Sequence, residues 1–406
     1  MRVLVLGGYG AVGNVICRDL AKHPNIDEVV CAGRNLEKAE AFVKRYRNEK
    51  ISAMKVDLFD VEGLQKAVKG FDIVINAVDY RFNLRVMKAC ADAGASYQDL
   101  AFGRSYETMK LTMVEAYKKQ LEFDEAFKEK GLVALMNTGE DPGISNLLTG
   151  YAADHMDHLY EVRIKDCDII DSAEPISVWS PRLLWFDMID KPKVYENGVY
   201  KELEPFSGEE VYNFPEPLGP QPCYHHAHEE VITMPFHLKD LRYVEFKMGG
   251  PDMPFAKAVY DYGLVSTKPV KVGDVEVAPF EVFIAVSPPT IRPHEVEEKI
   301  KKGILKEEIA CILVDVKGER KGKEVEATYY SILRLTEVNK LMKDTTATSY
   351  FVGIGAAVFT EALAENKLKS RGAVSPECLT KEEKEALIRK LEEKGIVIKK
   401  IEHTTI

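Results

Sequence analysis

Several things that the 406-residue chain lacks narrow its class. No stretch approaches the roughly 18 uninterrupted apolar residues that a membrane-spanning helix requires, which speaks against a membrane protein. The seven cysteines (Cys17, Cys31, Cys90, Cys167, Cys223, Cys311, Cys378) stand singly, without a C-x-x-C pair. Neither a disulfide framework nor a zinc ribbon is indicated, and reduced thiols of a cytoplasmic protein are the simplest expectation. Basic blocks are missing too. The net charge of −10 is spread along the chain, which argues against nucleic acid and for a small-molecule partner. Glutamine is scarce amid abundant Lys and Glu, a bias of proteins selected for heat. The opening MRVLVLGGYG breaks its short apolar run at glycines and has no small-residue cleavage site, so it predicts the start of a fold and not a secretory signal.

What is present is globular in proportion, with 46% hydrophobic and 30% charged residues. The length exceeds one ordinary core, so two domains are expected. Residues 1–140 alternate short apolar runs with helical periodicity, the pattern of a parallel sheet flanked by helices. Residues 3–6 predict the first strand, Val12, Val15, Ile16 and Leu20 a helix, and residues 29–32 the second strand. Further strands are expected at 51–56, 73–76, near Tyr97 and at 132–136, and Met109, Met113, Ala116, Phe123 and Phe127 predict one long amphipathic helix. After the loop NTGEDPGISN, prolines cluster and period-two alternation takes over. Residues 244–248, 280–286, 312–316 and 325–333 predict antiparallel strands of an α+β domain on an open sheet. Helix returns from about Ser349, and the Lys/Glu-rich run 380–394 puts Ala386, Leu387 and Leu391 on one face.

VLVLGGYGAVG sets Gly8, Gly10 and Gly13 as G-x-G-x-x-G directly after a strand and into a helix, the context in which that string predicts dinucleotide binding. Gly8 permits the tight turn, Gly10 lets backbone approach a pyrophosphate, and Gly13 lets helix pack on strand. The helix N-terminus adds free N–H groups, and Tyr9, Ala11 and Val12 belong to the same cradle. At the end of strand two, where an NAD site usually places Asp or Glu, stands Gly33, followed by Arg34. A guanidinium suits a 2′-phosphate, so NADP is expected over NAD, with a surface helix-start residue as the other reading of Arg34. Asp57 reaches the adenine edge or caps the next helix. Asn76, Ala77 and Val78 end strand four at the carboxyl edge, where ligands bind in such folds.

GGYGAVG at 7–13, INAVDYRFN at 75–83, YQDLA at 97–101, NTGEDPGISNLL at 137–148 and GAVSPE at 372–377 together resemble the saccharopine dehydrogenase (saccharopine reductase) family. The resemblance runs in order through nearly all of the chain. It implies a Rossmann-type doubly wound domain (1–140) interrupted by a substrate and dimerisation domain (141–345), with a C-terminal helical segment (346–406) returning to the first, and a homodimer. It also implies hydride transfer at the CH–NH bond of an amino-acid or polyamine conjugate, saccharopine itself being one option and lysine 6-dehydrogenase or carboxynorspermidine dehydrogenase activity others. YRFN resembles the family's PYxxN or PYxxH, with Asp79 where proline is usual, which sets Tyr80 and Asn83 beside the nicotinamide. GEDPG resembles the family's G-x-DPG loop, which places Asp141, Pro142, Gly143 and Asn146 at the junction of cofactor and substrate.

A group that manages a proton at the substrate nitrogen is needed, and Tyr80 and Asp141 are the candidates, the alternatives being a packed tyrosine and a loop-capping aspartate. CYHHAHEE gathers Cys223, His225, His226 and His228. Adjacent histidines without a second ligand cluster make a metal unexpected, and His226 is the candidate substrate or proton contact. Arg182 in WSPRLLW is a candidate for pairing with a substrate carboxylate, or else a salt-bridged structural arginine. A regulatory protein that senses NADP without turnover is the rival from another class.

Overall fold

The computed structural model describes residues 1–403. Its first sheet has seven parallel strands in the order Gly372–Val374, Val133–Leu135, Ser96–Asp99, Ile73–Asn76, Arg2–Leu6, Glu28–Gly33, Ile51–Lys55. The central strands are buried on both faces, which is why VLVL and IVIN carry no alternation. The order reverses between Arg2–Leu6 and Ile73–Asn76. That reversal leaves a crevice at the strands' carboxyl ends, the place where open α/β sheets take ligands.

The chain's far end completes this sheet. Gly372–Val374 pairs beside Val133–Leu135, and the preceding helix Ala347–Ala364 crosses the first helix, Ala11–Leu20, so closely that a Cβ on Gly353 would lie 2.5 Å from Val15 Cβ. Ala347–Ala364 is long and apolar enough to cross a membrane, but 78% of it is buried inside the protein. It reads as a core helix, and Thr348, Ser349, Thr360 and Glu361 interrupt its apolar run. Lys394 ties it down by pairing with Asp19 (2.7 Å) and Glu361 (2.8 Å).

The second sheet has nine strands on the path Glu210–Phe214, Gly219–His225, Tyr243–Gly249, His158–Ser172, Leu305–Arg320, Lys323–Arg334, Lys399–His403, with Lys193–Glu196 and Val199–Glu202 attached at Tyr243–Gly249. All pairs are antiparallel except Tyr243–Gly249 with His158–Ser172. Leu305–Arg320 and Lys323–Arg334, which hold the strands expected at 312–316 and 325–333, form a hairpin that turns at Lys321 and Gly322 with φ of 55° and 70°, the left-handed pair that suits a two-residue connection.

Three expectations are corrected. Residues 280–286 lie in a helix, Pro279–Val286. The run FEVFIAV is apolar but for Glu281 and so carries neither period clearly, while Pro279 at the first turn favours the helix. The helix expected from Met109 to Phe127 splits into Met113–Leu121, closed by a Thr112–Glu115 capping box, and Asp124–Lys128. The tail, finally, does not stay with the first sheet: Lys399–His403 crosses to pair with Lys323–Arg334.

Candidate active site

At the glycine loop the left-handed residue is Gly7 (φ 83°), not Gly8. Gly8 is required for another reason, since its Cβ would meet Cys17 Sγ and Cys31 Cα at 2.9 Å. A Cβ on Gly13 would lie 2.2 Å from Gly7 O, whereas one on Gly10 would approach only Gly7 O, at 3.1 Å. Gly10 therefore faces open space at the start of Ala11–Leu20, a helix with no side-chain cap and no acidic residue in its first turn. Its first N–H groups are left for an anion. The Tyr9 ring covers Gly33, where a Cβ would be 2.6 Å from Tyr9 Cε1, and Tyr9 Oη accepts from Asn35 N (3.3 Å). A side chain at position 33 would collide with that ring. Arg34 next to it is exposed and, among the described residues, unpaired. Asp57 Oδ1 accepts from Phe59 N (3.0 Å) in a tight turn, and the helix cap is Asp60, which accepts from Gly63 N (2.9 Å).

Between the two sheets lies a cavity of about 400 Å³. Ala11, Val12, Asn76, Ala77 and Val78 line its nucleotide side, and Tyr80, Asn83, Asp141, Pro142 and His226 also reach it. Arg182 does not. It stands 38% exposed and is held by both Glu281 oxygens (2.9 and 2.6 Å), so its structural reading prevails. Gly143 and Asn146 lie behind the wall. Gly143 takes φ 145°, and a Cβ there would be 2.1 Å from Gly139 O. Asn146 accepts from Gly143 N (3.1 Å) and donates to Glu377 (3.0 Å), fixing the start of helix Ile144–Ala153. Asn83 spends its amide on structure as well: it accepts from Asn76 (2.8 Å) and donates to Asp99 (3.0 Å) and Ala101 O (2.9 Å).

The rest of the wall comes from residues to which the sequence gave no role. His158–Ser172 and Tyr243–Gly249 turn Val162, Ile164, Val244 and Phe246 toward the first domain, and by the two-residue period Asp166, Asp168 and Met248 share that face and line the cavity. Glu140, Asp187, His228 and Glu229 join them. His228 stacks on Phe246 (3.8 Å between centroids) and pairs with Glu230 (2.5 Å) and Glu229 (3.3 Å). Against the burial that favours a neutral ring, those carboxylates and Asp187 hold His228 up to about 9. His226 shows the opposite effect: burial and the charge of His228 push it down to about 3, so it stays neutral. Burial, then Asp166, Glu140, Glu230 and Asp168, raise the Asp141 carboxyl well above the carboxylate range. Burial likewise raises Tyr80, with Asp187, Glu229 and Asp79 adding to it. The Tyr80 phenol keeps its proton.

The chain matches the saccharopine dehydrogenase NADP binding domain over residues 3–135 and the saccharopine dehydrogenase C-terminal domain over residues 139–396. It is 26% identical over 390 residues to a carboxyaminopropylagmatine dehydrogenase of Synechocystis sp., covering 93% of this chain and 92% of that protein. It is also 26% identical over 348 residues to a carboxynorspermidine synthase of Vibrio alginolyticus, covering 82% and 81%. The structure of apo saccharopine dehydrogenase (L-Glu forming) from Saccharomyces cerevisiae superposes with a TM-score of 0.71 at 18% identity, covering 99% of this chain and 100% of that one, a likeness of fold.

Proposed function

The chain belongs to the saccharopine dehydrogenase family, and from that premise we propose that it is a nicotinamide-dinucleotide-dependent oxidoreductase acting on the CH–NH bond of an amino-acid or polyamine conjugate, with NADP preferred to NAD. One observation carries the reading. The cavity begins at the glycine-loop helix and the ends of the first sheet's strands, and it closes on Asp166 and Asp168 of strand His158–Ser172 and on His226 and His228 just past strand Gly219–His225. The residues fit a dinucleotide: open space beside Gly10, uncapped N–H groups on a helix without a nearby acid, and an unpaired Arg34 where a 2′-phosphate would come. When bound, the dinucleotide supplies or accepts the hydride.

The chain's own residues manage position and protons. Imine reduction leaves the nitrogen needing a proton, and His228 carries one throughout the neutral range. Asp141, held protonated by burial and neighbouring acids, is the second donor. Tyr80 presents its protonated phenol to the same cavity as a donor for substrate, and apolar Trp179, Phe246 and Met248 keep water from the reacting atoms. Incubation with NADPH, a panel of amines and polyamines, and a panel of 2-oxo acids and semialdehydes tests the proposal through loss of reduced-nicotinamide absorbance. Turnover of any pair supports it. Cofactor binding without turnover across the panel would instead favour a cofactor-sensing role.

A further inference from the structure

The cavity between the two sheets is lined by the carboxyl groups of Glu140, Asp141, Asp166, Asp168, Asp187 and Glu229, and its lining includes no lysine or arginine. Two of the oxygens, Glu140 Oε1 and Asp168 Oδ1, are buried without a hydrogen-bond partner, and Glu140 is only 3% exposed. Leaving a buried polar atom unpaired costs stability. Atoms in that condition inside a cavity therefore mark what a ligand brings, and beside so many carboxyls it is donors that carry positive charge. Asp166 and Asp168 project from one face of the same strand, and Asp168 also accepts from Thr348 Oγ1 (3.5 Å). Trp179, Met188, Phe246 and Met248 make the surrounding wall apolar.

Building on the oxidoreductase reading above, we propose that Glu140, Asp166 and Asp168 form a subsite for a protonated amine arm set apart from the reacting carbon, so that the substrate is a di- or polyamine conjugate. An ammonium offers three donors to the unpartnered oxygens, and its methylene chain lies along the apolar wall. Entry of the cation favours ionisation of carboxyls that now repel one another. A conjugate bearing only carboxylates finds one cation in this cavity, the His228 imidazolium, and that is already paired with Glu229 and Glu230. A divalent metal ion needs several oxygens converging on one point, and among the described residues Glu140, Asp166 and Asp168 do not form such a cluster.

The test titrates the protein–NADPH complex calorimetrically with putrescine, spermidine, n-butylamine and magnesium chloride, beside the turnover panel. Putrescine should bind at least about tenfold tighter than n-butylamine of equal length, and both Asp168→Asn and Glu140→Gln should lose most of that preference. Equal affinity for the two amines overturns the subsite, as does a preference that survives in both well-folded variants or displacement of the diamine by magnesium. The two readings fail separately. Diamine binding without turnover of any pair keeps the subsite and removes the CH–NH reaction, while turnover with no preference for charge does the reverse.

Discussion

Arg34, exposed and without a partner among the described residues, gains charge-assisted hydrogen bonds only from a cofactor that carries a 2′-phosphate. Such bonds contribute about 1.5–3 kcal/mol, so Arg34→Ala should raise the Kd for NADPH roughly 10- to 100-fold and leave that for NADH nearly unchanged. Fluorescence titration of the two reduced nucleotides reads this directly, and equal losses would refute the role. His228 permits a second prediction. Its pKa of about 9 makes it a charged donor at neutral pH, so kcat/KM for imine reduction should be level there and fall as pH rises through about 9. His228→Gln should remove that limb and lower kcat by roughly 10²- to 10⁴-fold; an unchanged pH profile would clear His228 of proton transfer. The glycines and Arg34 could be read from the sequence because a phosphate cradle is local in the chain. His228 could not be told from His226 by sequence: Glu229 and Glu230 are chain neighbours of both, and it is folding that turns one ring onto them and buries the other neutral. Asp166 and Asp168 were invisible for a related reason: acids alternating along a strand look like a solvent face until the opposite domain covers them.

At the scale of elements, the loop and first helix divide packing from binding. Gly13→Ala sets a Cβ 2.2 Å from Gly7 O, backbone against backbone, and should destabilise the protein by about 1–3 kcal/mol. Gly10→Ala meets only one oxygen at 3.1 Å, so its melting temperature should stay near that of the parent while dinucleotide affinity drops. Thermal melts beside cofactor titrations separate the two, and equal melting losses would show that Gly10 packs like Gly13. The helix Ala347–Ala364 is fastened to the first helix by Lys394, whose partners Asp19 and Glu361 are 7% and 4% exposed. Lys394→Ala strands Asp19, while Glu361 keeps Lys390 at 3.4 Å. Because Lys394 itself is 20% exposed, the cost should fall near the low end of the buried-pair range, about 3 kcal/mol, in a denaturant melt. Elements with a clear period or a doubly buried apolar run could be read from the sequence, as the first sheet's strands within residues 1–140 were, whereas the three-residue strand Gly372–Val374 is too short to show either. Pro279–Val286 could not, because an apolar segment without a period fits either state until Phe280 and Phe283 find Phe186 and Trp185.

For the whole molecule, the buried acids that line the interdomain cavity and its surroundings set how stability depends on pH. Burial raises Asp166 to about 6 and Asp99 and Glu229 to about 7, and it moves Glu140, Asp141, Asp168 and Asp187 in the same direction. A carboxyl raised on folding keeps its proton after the unfolded chain has lost it. Stability therefore falls as pH rises from near 4 to the folded value, by about 1.4 kcal/mol per pH unit for each group while the interval lasts. His228 adds to this at higher pH: its contribution is whole below 6.5 and is lost as pH rises through about 9. The opposite limb comes from depressed acids. Against burial, His225, Lys247 and Tyr243 hold Glu245 down to about 2, and Lys367, Lys390 and His23 do the same for Glu365. Those contributions are present above about 4.5 and vanish as pH falls toward 2. The ligand-free protein should thus be most stable at about pH 4, with a melting temperature that declines steadily from pH 6 to pH 9. A flat or rising melting temperature across that interval would mean that the cavity acids ionise freely when the site is empty. A bound diamine should flatten the slope, because a cation among these carboxyls stabilises their charged form and so lowers the pKa values that cause the decline.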